Sequence, residues 1–158
     1  MIKIRRFSLD DQENVRGLIS TIMDKEFHDQ EAAYPSDDLV NIPQTYGGLG
    51  EAFFVAARNG DIVGTVAVKK EDDRVALMRR LFVAEPYRKQ QIGLKLIDRA
   101  LQFCDEVGYQ EIIFRTTSRM EGANKVCQKC GFVQRAKLQL GAIELFKFAL
   151  SIRDRTKK

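Results

Sequence analysis

Residues 88–93, with the sequence RKQQIG, bring two basic side chains, three amide or apolar side chains and one glycine to the point where an apolar stretch gives way to a helical pattern. The first turn of a helix leaves backbone N–H groups unpaired and carries partial positive charge, so it attracts anions. Gly93 has no Cβ and lets a ligand approach the backbone closely, while Arg88 and Lys89 add positive charge. The segment predicts a phosphate or pyrophosphate site, and the alternative is an ordinary solvated turn.

Other chemistries have weaker support in the chain. Neither a Gly-x4-Gly-Lys-Ser/Thr loop nor a Gly-x-Gly-x-x-Gly pattern occurs. Cys127 and Cys130 are spaced like metal ligands, but a zinc site needs a second pair, and a redox pair belongs at the start of a helix. His28 is the only histidine, and nothing marks a serine as its nucleophilic partner. We therefore predict neither a metal site nor a catalytic triad.

Length and composition indicate one soluble domain. The chain has 158 residues, of which 44% are hydrophobic and 30% charged, and no apolar run reaches about 18 residues. Three cysteines show no disulfide framework, so we expect a reducing, cytoplasmic location. The net charge of +4 favours anionic partners, but no nucleic-acid motif accompanies it. We expect no nucleic-acid or membrane partner, and assign residues 1–150 to the domain and 151–158 to a basic tail.

The elements that hold residues 88–93 follow from periodicity and turn signals. Strands are predicted at 2–7, 53–57, 62–68, 76–83, 111–115 and 143–150, with another after Gly131, and helices at 11–27, 91–107 and 120–130. Residues 28–50 are predicted to be a loop with one short helix, and Asn59-Gly60 predicts a hairpin turn. Hairpins followed by a strand–helix–strand crossover require a mixed sheet, so the predicted class is α/β.

Three stretches of the chain carry a family resemblance. They read MRRLFVAEPYRKQQIGLKLIDRALQFCDEVGY, IIFRTT and EGANKVCQKCGF. Together they resemble the GNAT superfamily of acyl-CoA-dependent N-acetyltransferases, over about residues 2–150. The family's Arg/Gln-x-x-Gly-x-Gly/Ala loop corresponds to residues 88–93. The resemblance implies a mixed, mostly antiparallel twisted sheet of about six or seven strands, with helices on both faces and an acyl-CoA cleft where central strands splay.

The resemblance also implies a co-substrate and a mechanism. Backbone amides around residues 90–94 would hold the pyrophosphate of acetyl-CoA, and residues 81–83 would align its pantetheine arm and acetyl carbonyl. An amine would attack the thioester directly, without a covalent enzyme intermediate and without a metal. The residues implied in cofactor binding are Leu81, Phe82, Val83, Arg88, Lys89, Gln90, Gln91, Ile92, Gly93, Leu94, Thr116 and Asn124.

The chain departs from the family pattern at three positions. Gln91 replaces the first glycine of the loop, so its side chain must point away from the phosphates. Cys127 stands where the family often has a tyrosine that protonates the leaving thiolate; a thiol with a pKa of about 8.5 can act as that acid, or it can be a small core residue. Leu77 occupies the region where many members carry a glutamate base, so the base is unassigned. The candidates are Glu71, Asp72, Asp73, His28, Tyr34 and an ordered water.

The expected function is transfer of an acetyl group to a primary amine, on a small metabolite such as an amino acid or polyamine. Arg79 or Arg80 could pair with a substrate carboxylate, and strand alternation allows only one of them to face the cleft. The alternatives are a catalytically weak acyl-CoA-binding module and an acetyltransferase of protein amino groups. The final strand at residues 143–150 is expected to be exposed, and it could pair with a second subunit to form a homodimer.

Overall fold

The computed structural model of the chain describes residues 1–27 and 35–152. The strands are β1 (Ile2–Arg6), β2 (Ala52–Arg58), β3 (Asp61–Lys70), β4 (Val75–Val83), β5 (Glu111–Thr117), β6 (Val133–Leu140) and β7 (Ile143–Ser151). The helices are α1 (Gln12–Glu26), α2 (Ile42–Tyr46), α3 (Ile92–Val107) and α4 (Glu121–Lys129). The predicted element order is confirmed, and β5 extends two residues beyond its predicted end. His28, Tyr34 and residues 153–158 of the predicted tail lie outside the described residues, and the single-domain assignment stays a prediction.

The seven strands form one sheet in the order β1-β2-β3-β4-β5-β7-β6. Every neighbouring pair is antiparallel except β4 and β5, which run parallel on either side of the α3 crossover. The predicted mixed, mostly antiparallel α/β sheet is therefore confirmed. The prediction that the final strand lies at an edge is wrong, because β7 is flanked by β5 and β6, and β6 forms the edge on this side of the sheet. All residues of β6 are exposed.

Helices cover both faces of the sheet. On one face, α3 buries a stripe of apolar side chains whose spacing matches the helical period, and Gly108 ends the helix in a left-handed conformation. On the other face, α1 packs its buried residues against β2, β3 and the end of β4. The buried residues of α1 are Val15, Ile19, Ile22 and Met23. Among the described residues, none of the helices is both long enough and apolar enough to cross a membrane.

Candidate active site

A gap opens in the middle of the sheet, between β4 and β5. The parallel ladder starts at Val75↔Glu111 and ends at Met78↔Phe114. Strand β4 continues to Val83 and β5 to Thr117, but the two are no longer paired. Strand β5 remains paired with β7 as far as Thr117, and β4 remains paired with β3 as far as Val83. The two halves of the sheet therefore diverge and leave backbone groups of β4 without a strand partner on this side.

A β-bulge in β4 accompanies this divergence. Arg79 pairs with Ala67 and Phe82 pairs with Thr65, so two residues of β4 face one residue of β3. Arg80 adopts a left-handed conformation with φ of 54°, which is unfavourable for a residue with a Cβ. The buried Thr65 hydroxyl donates a hydrogen bond to the Arg80 carbonyl at 2.7 Å, which satisfies a backbone group that the bulge displaces.

The register after the bulge decides which backbone groups of β4 face the gap. The Ala84 N–H donates to the Val63 carbonyl of the hairpin partner at 2.8 Å. Because backbone groups alternate along a strand, those of Phe82 also point towards β3, while those of Leu81 and Val83 point towards the gap. The Val83 carbonyl accepts a hydrogen bond from Arg88 Nε at 2.9 Å, in agreement with this direction. Leu81 and Val83 are thus the main-chain candidates for contacting a ligand in the gap.

The two threonines at the end of β5 differ in the hydrogen bonding of their hydroxyl groups. The Thr116 hydroxyl donates to Asn124 Oδ1 at 2.6 Å, and Asn124 Nδ2 donates to the Thr117 carbonyl at 3.1 Å. These bonds fasten α4 to β5 and occupy both polar side chains. Thr117 points to the other face of the sheet, and its buried Oγ1 has no hydrogen-bond partner in the part of the chain that the structure describes. A buried hydroxyl without a partner marks a place where a ligand group can be accepted.

The predicted anion loop does lead into the N-terminus of α3, which begins at Ile92. Lys89 and Gln91 both have φ of 64°, so two residues of the loop adopt the left-handed conformation before the helix starts. Gln91 stands where the loop pattern has its first glycine, and a glycine would adopt this conformation without steric cost. A Cβ on Gly93 would lie in ordinary van der Waals contact with the Val126 side chain, at 3.5 Å and 3.7 Å, so this glycine faces α4.

The Arg88 guanidinium is already engaged within the protein. Its Nη1 and Nη2 atoms bond both oxygens of Glu26 at 2.7 and 2.8 Å, and this hydrogen bonding raises the pKa of Arg88. Together with its bond to the Val83 carbonyl, this contact ties the end of α1 to the end of β4. Lys89, Gln90 and Gln91 are exposed on the loop. The sequence suggested Arg88 as an anion ligand, but it gave no sign of Glu26, which lies 62 positions away.

Cys127 is fully buried in the core between the sheet and α4. Its Sγ donates to the Asn124 carbonyl at 3.2 Å, and burial raises the pKa of the thiol to about 12. Such a thiol stays protonated at neutral pH, but it is a weaker acid than a free thiol with a pKa of about 8.5. Proton transfer from Cys127 to a leaving thiolate is therefore uphill. Of the two interpretations left open by the sequence, these features favour the core residue.

The acidic candidates for a general base lie far from the gap. Glu71, Asp72 and Asp73 belong to the turn before β4, where Asp72 Oδ1 accepts from the backbone of Arg74 and Val75. Leu81 lies eight positions after Asp73, most of them along β4, which corresponds to about 26 Å at the usual strand rise. These three carboxylates are excluded as direct bases, and the base remains unassigned. Within the described ranges, no cluster of three or more His, Cys, Asp or Glu side chains is arranged to hold a metal.

Both arginines of the bulge face the same side of the sheet, so the expectation that only one could do so is wrong. The bulge breaks the alternation between Arg79 and Arg80, and both guanidinium groups lie near Asp38. Burial alone would raise the pKa of Asp38, but hydrogen bonds from Arg80 and from the Tyr46 hydroxyl outweigh it and lower that pKa. Asp38 had no distinguishing signal in the sequence.

Comparisons with known proteins agree with this architecture. Residues 16–132 match the model of the acetyltransferase (GNAT) family. The N-acetylaspartate synthetase of Xenopus tropicalis is 34% identical over 97 residues, which cover 60% of this chain and 36% of that protein. The chain spans about half or less of the length of the curated relatives it matches first.

Two solved structures share the fold. An acetyltransferase of the GNAT family from Staphylococcus aureus is 24% identical, with a TM-score of 0.83, and the match covers 96% of this chain and 99% of that one. A Salmonella typhimurium protein solved with its cofactor acetyl-CoA is 14% identical, with a TM-score of 0.74 over 96% of this chain and 94% of that one. At these identities the likeness concerns the fold alone. Because the family match covers most of the sequence, the chain belongs to the acetyltransferase (GNAT) family.

Proposed function

We propose that this protein transfers an acetyl group from acetyl-CoA to a primary amine on a small metabolite, such as an amino acid or polyamine. The observation that carries this proposal is the divergence of β4 and β5 after Met78↔Phe114, which turns the backbone of Leu81 and Val83 towards an open gap. An extended chain that contains amide groups can add to such an exposed strand by hydrogen bonding to its backbone. The pantetheine arm of acetyl-CoA has this chemistry.

The described residues fit acetyl-CoA along the length of the gap. The orphaned Thr117 hydroxyl offers a hydrogen bond on the β5 side, opposite the Leu81 and Val83 backbone. The unpaired N–H groups of the first turn of α3, which begins at Ile92, suit the pyrophosphate. The proposed cofactor-binding set is Leu81, Phe82, Val83, Lys89, Gln90, Gln91, Ile92, Gly93 and Leu94, with Arg88, Thr116 and Asn124 shaping the site through the contacts described above.

The proposed chemistry relies on positioning and on backbone electrostatics. The Leu81 N–H would donate to the acetyl carbonyl oxygen and stabilise the negative charge that develops there during attack by the amine. Holding the two reactants in one cleft would supply much of the rate enhancement by proximity. The C–N bond forms, the C–S bond breaks, and the amine loses a proton to solvent or an ordered water. The leaving thiolate takes its proton from solvent, since Cys127 is buried and its pKa is about 12.

The first test is calorimetric titration of the protein with acetyl-CoA, beside two variants that each add one negative charge to α3. Gly93→Glu places a carboxylate over the proposed pyrophosphate site. Gln102→Glu places the same charge on an exposed position about 14 Å further along the helix. We expect saturable binding by the wild type and by Gln102→Glu, and loss of binding in Gly93→Glu.

The outcomes separate this proposal from its alternatives. Absence of binding by the wild type at millimolar acetyl-CoA would overturn the proposed function. Binding that Gly93→Glu retains would mean that the cofactor does not lie at the α3 N-terminus. Binding without turnover of any amine would favour a catalytically weak acyl-CoA-binding module. Acetylation of peptides in preference to small amines would favour protein amino groups as the acceptor.

A further inference from the structure

A cavity of about 410 Å³ lies beside the bulge, between α1 and residues 36–40. The polar side of α1 forms one wall, with Glu13, Arg16, Gly17, Ser20 and Asp24, and Ser36 lies on the opposite side. Arg80 also lines it, although the rest of β4 does not. The left-handed conformation of Arg80 is what sends this side chain away from the strand and into the cavity wall. The cavity is therefore connected by one residue to the backbone that faces the gap.

The Arg80 guanidinium has one unused donor group. Its side chain is only 3% exposed. Nε donates to Asp38 Oδ2 at 2.9 Å, and Nη2 donates to Asp38 Oδ1 and to the Pro35 carbonyl. Nη1 is buried and has no partner among the residues that the structure describes. A guanidinium presents five N–H donors in a fixed plane, so an unpartnered nitrogen on a residue that lines a cavity is suited to an oxygen ligand.

The charge around this donor is positive. Arg79 Nη2 lies 3.9 Å from Asp38 Oδ2, so two guanidinium groups share one carboxylate and leave an excess of one positive charge. The Tyr46 hydroxyl also donates to Asp38, which further occupies the carboxylate that Arg80 contacts in the described part of the chain. An anionic group gains from these two guanidinium groups, while the carboxylates of Glu13 and Asp24 elsewhere in the lining would attract the ammonium group of an acceptor that carries both charges.

Resting on the proposed function, we propose that Arg80 Nη1 binds a carboxylate of the acceptor, so that the substrate class is amino acids or related amino carboxylates rather than polyamines. Arg80 directly precedes Leu81, whose N–H is proposed to contact the acetyl carbonyl. A small molecule anchored by its carboxylate at Arg80 can therefore present its amine to the gap. Arginine suits this role because its planar fork matches the geometry of a carboxylate.

Matched substrates test the acceptor class. The assay measures acetylation of the twenty standard amino acids, of the primary amides of those that react, and of spermidine. We expect kcat/KM for an amino acid to exceed that for its amide by at least tenfold, and spermidine to be the poorest acceptor. Equal rates for acid and amide, or a preference for spermidine, would overturn the inference.

Two pairs of variants test the site. Gly17 lines the cavity, and a Cβ there would meet no atom within 4 Å, so both Gly17→Asp and Gly17→Asn should fold. They differ only in charge, and we expect Gly17→Asp to have at least a tenfold higher KM for the amino acid than Gly17→Asn. Arg80→Lys should also raise this KM, whereas Arg79→Lys, which lies outside the cavity lining, should raise it much less. Equal KM values within the Gly17 pair would overturn the inference.

Acetyl-CoA affinity separates failure of this inference from failure of the proposed function. Both Gly17 variants should bind acetyl-CoA within threefold of the wild type in calorimetry, because this part of the cavity lies on α1, outside the proposed cofactor site. If acetyl-CoA binds but no amino carboxylate is acetylated, the inference is overturned while the cofactor site stands. If acetyl-CoA does not bind to the wild type, the proposed function fails and this inference falls with it.

Discussion

Arg88 and Glu26 join the end of β4 to the end of α1 through two hydrogen bonds of 2.7 and 2.8 Å. The same guanidinium donates to the Val83 carbonyl at 2.9 Å. The N–H groups of Arg88, a residue of the predicted anion loop, thus form hydrogen bonds with the protein itself. Its first effect is to hold two elements on either side of the candidate site in a fixed relation.

We expect Arg88→Lys to lower the free energy of unfolding by about 1 kcal/mol, because lysine loses the forked contact and the pair is partly solvated. Acetyl-CoA affinity should stay within threefold of the wild type, since the guanidinium is already occupied. Urea denaturation and calorimetry measure the two quantities, and Lys89→Gln on the exposed part of the loop serves as the comparison. A tenfold loss of affinity without a loss of stability would instead identify Arg88 as a phosphate ligand.

Asp38→Asn should destabilise the protein by about 3–5 kcal/mol at pH 7, because it leaves Arg80 buried without its charged partner. The pKa of Asp38 is lowered in the folded protein, so its contribution is present above the unfolded pKa of about 3.9 and is lost as pH falls through the lower folded value. Urea denaturation between pH 7 and pH 3 measures both effects. The exposed neighbour Asp37, changed to Asn, should have neither effect, and a steep acid limb retained in Asp38→Asn would contradict the assignment.

Cys127→Ala should reduce kcat by less than about threefold and lower the unfolding free energy by about 1 kcal/mol, through the small cavity that it leaves. Because burial raises the pKa of this thiol to about 12, the pH–rate profile below pH 10 should be the same in the variant and the wild type. Cys130→Ala on the same helix is the matched control. A hundredfold loss of kcat restricted to Cys127→Ala would restore the general-acid interpretation.

Thr65→Val should cost about 1–3 kcal/mol of stability, because the Arg80 carbonyl then lacks its buried partner. The bulge also sets the direction of Leu81, so we expect kcat to fall further than the KM for acetyl-CoA rises. Thr65→Ser keeps the hydroxyl and should recover most of both losses. If serine behaves like valine in steady-state kinetics, the hydroxyl is not what holds the bulge.

The elements of the fold were predictable because their signals are local. The apolar period of α3, the Asn59-Gly60 turn and the glycine after Val107 each act within a few residues. The stretches that carry the family resemblance are also local, and that resemblance implied a cleft where the central strands splay. The bulge was not predictable, since it depends on how β4 pairs with β3, and strand alternation consequently misplaced Arg79 and Arg80.

Long-range contacts explain the other differences between prediction and structure. The pairing of Arg88 with Glu26 and of Arg80 with Asp38 joins residues 62 and 42 positions apart. Whether β7 or β6 forms the edge is likewise a question of sheet order. The acidic residues 71–73 are unsuitable as a base because they precede β4, whereas the gap lies at the other end of that strand.

The parallel ladder between β4 and β5 contains only four residue pairs, yet in the described sheet no other pair of strands joins the two halves. Each half is otherwise built from antiparallel neighbours, whereas this ladder requires closure of the long crossover through α3. Contacts that close long loops form slowly, so the junction is expected to assemble late in folding. The cofactor gap would then be completed in the last step of folding, and a nascent or partly unfolded chain would have no place to hold acetyl-CoA.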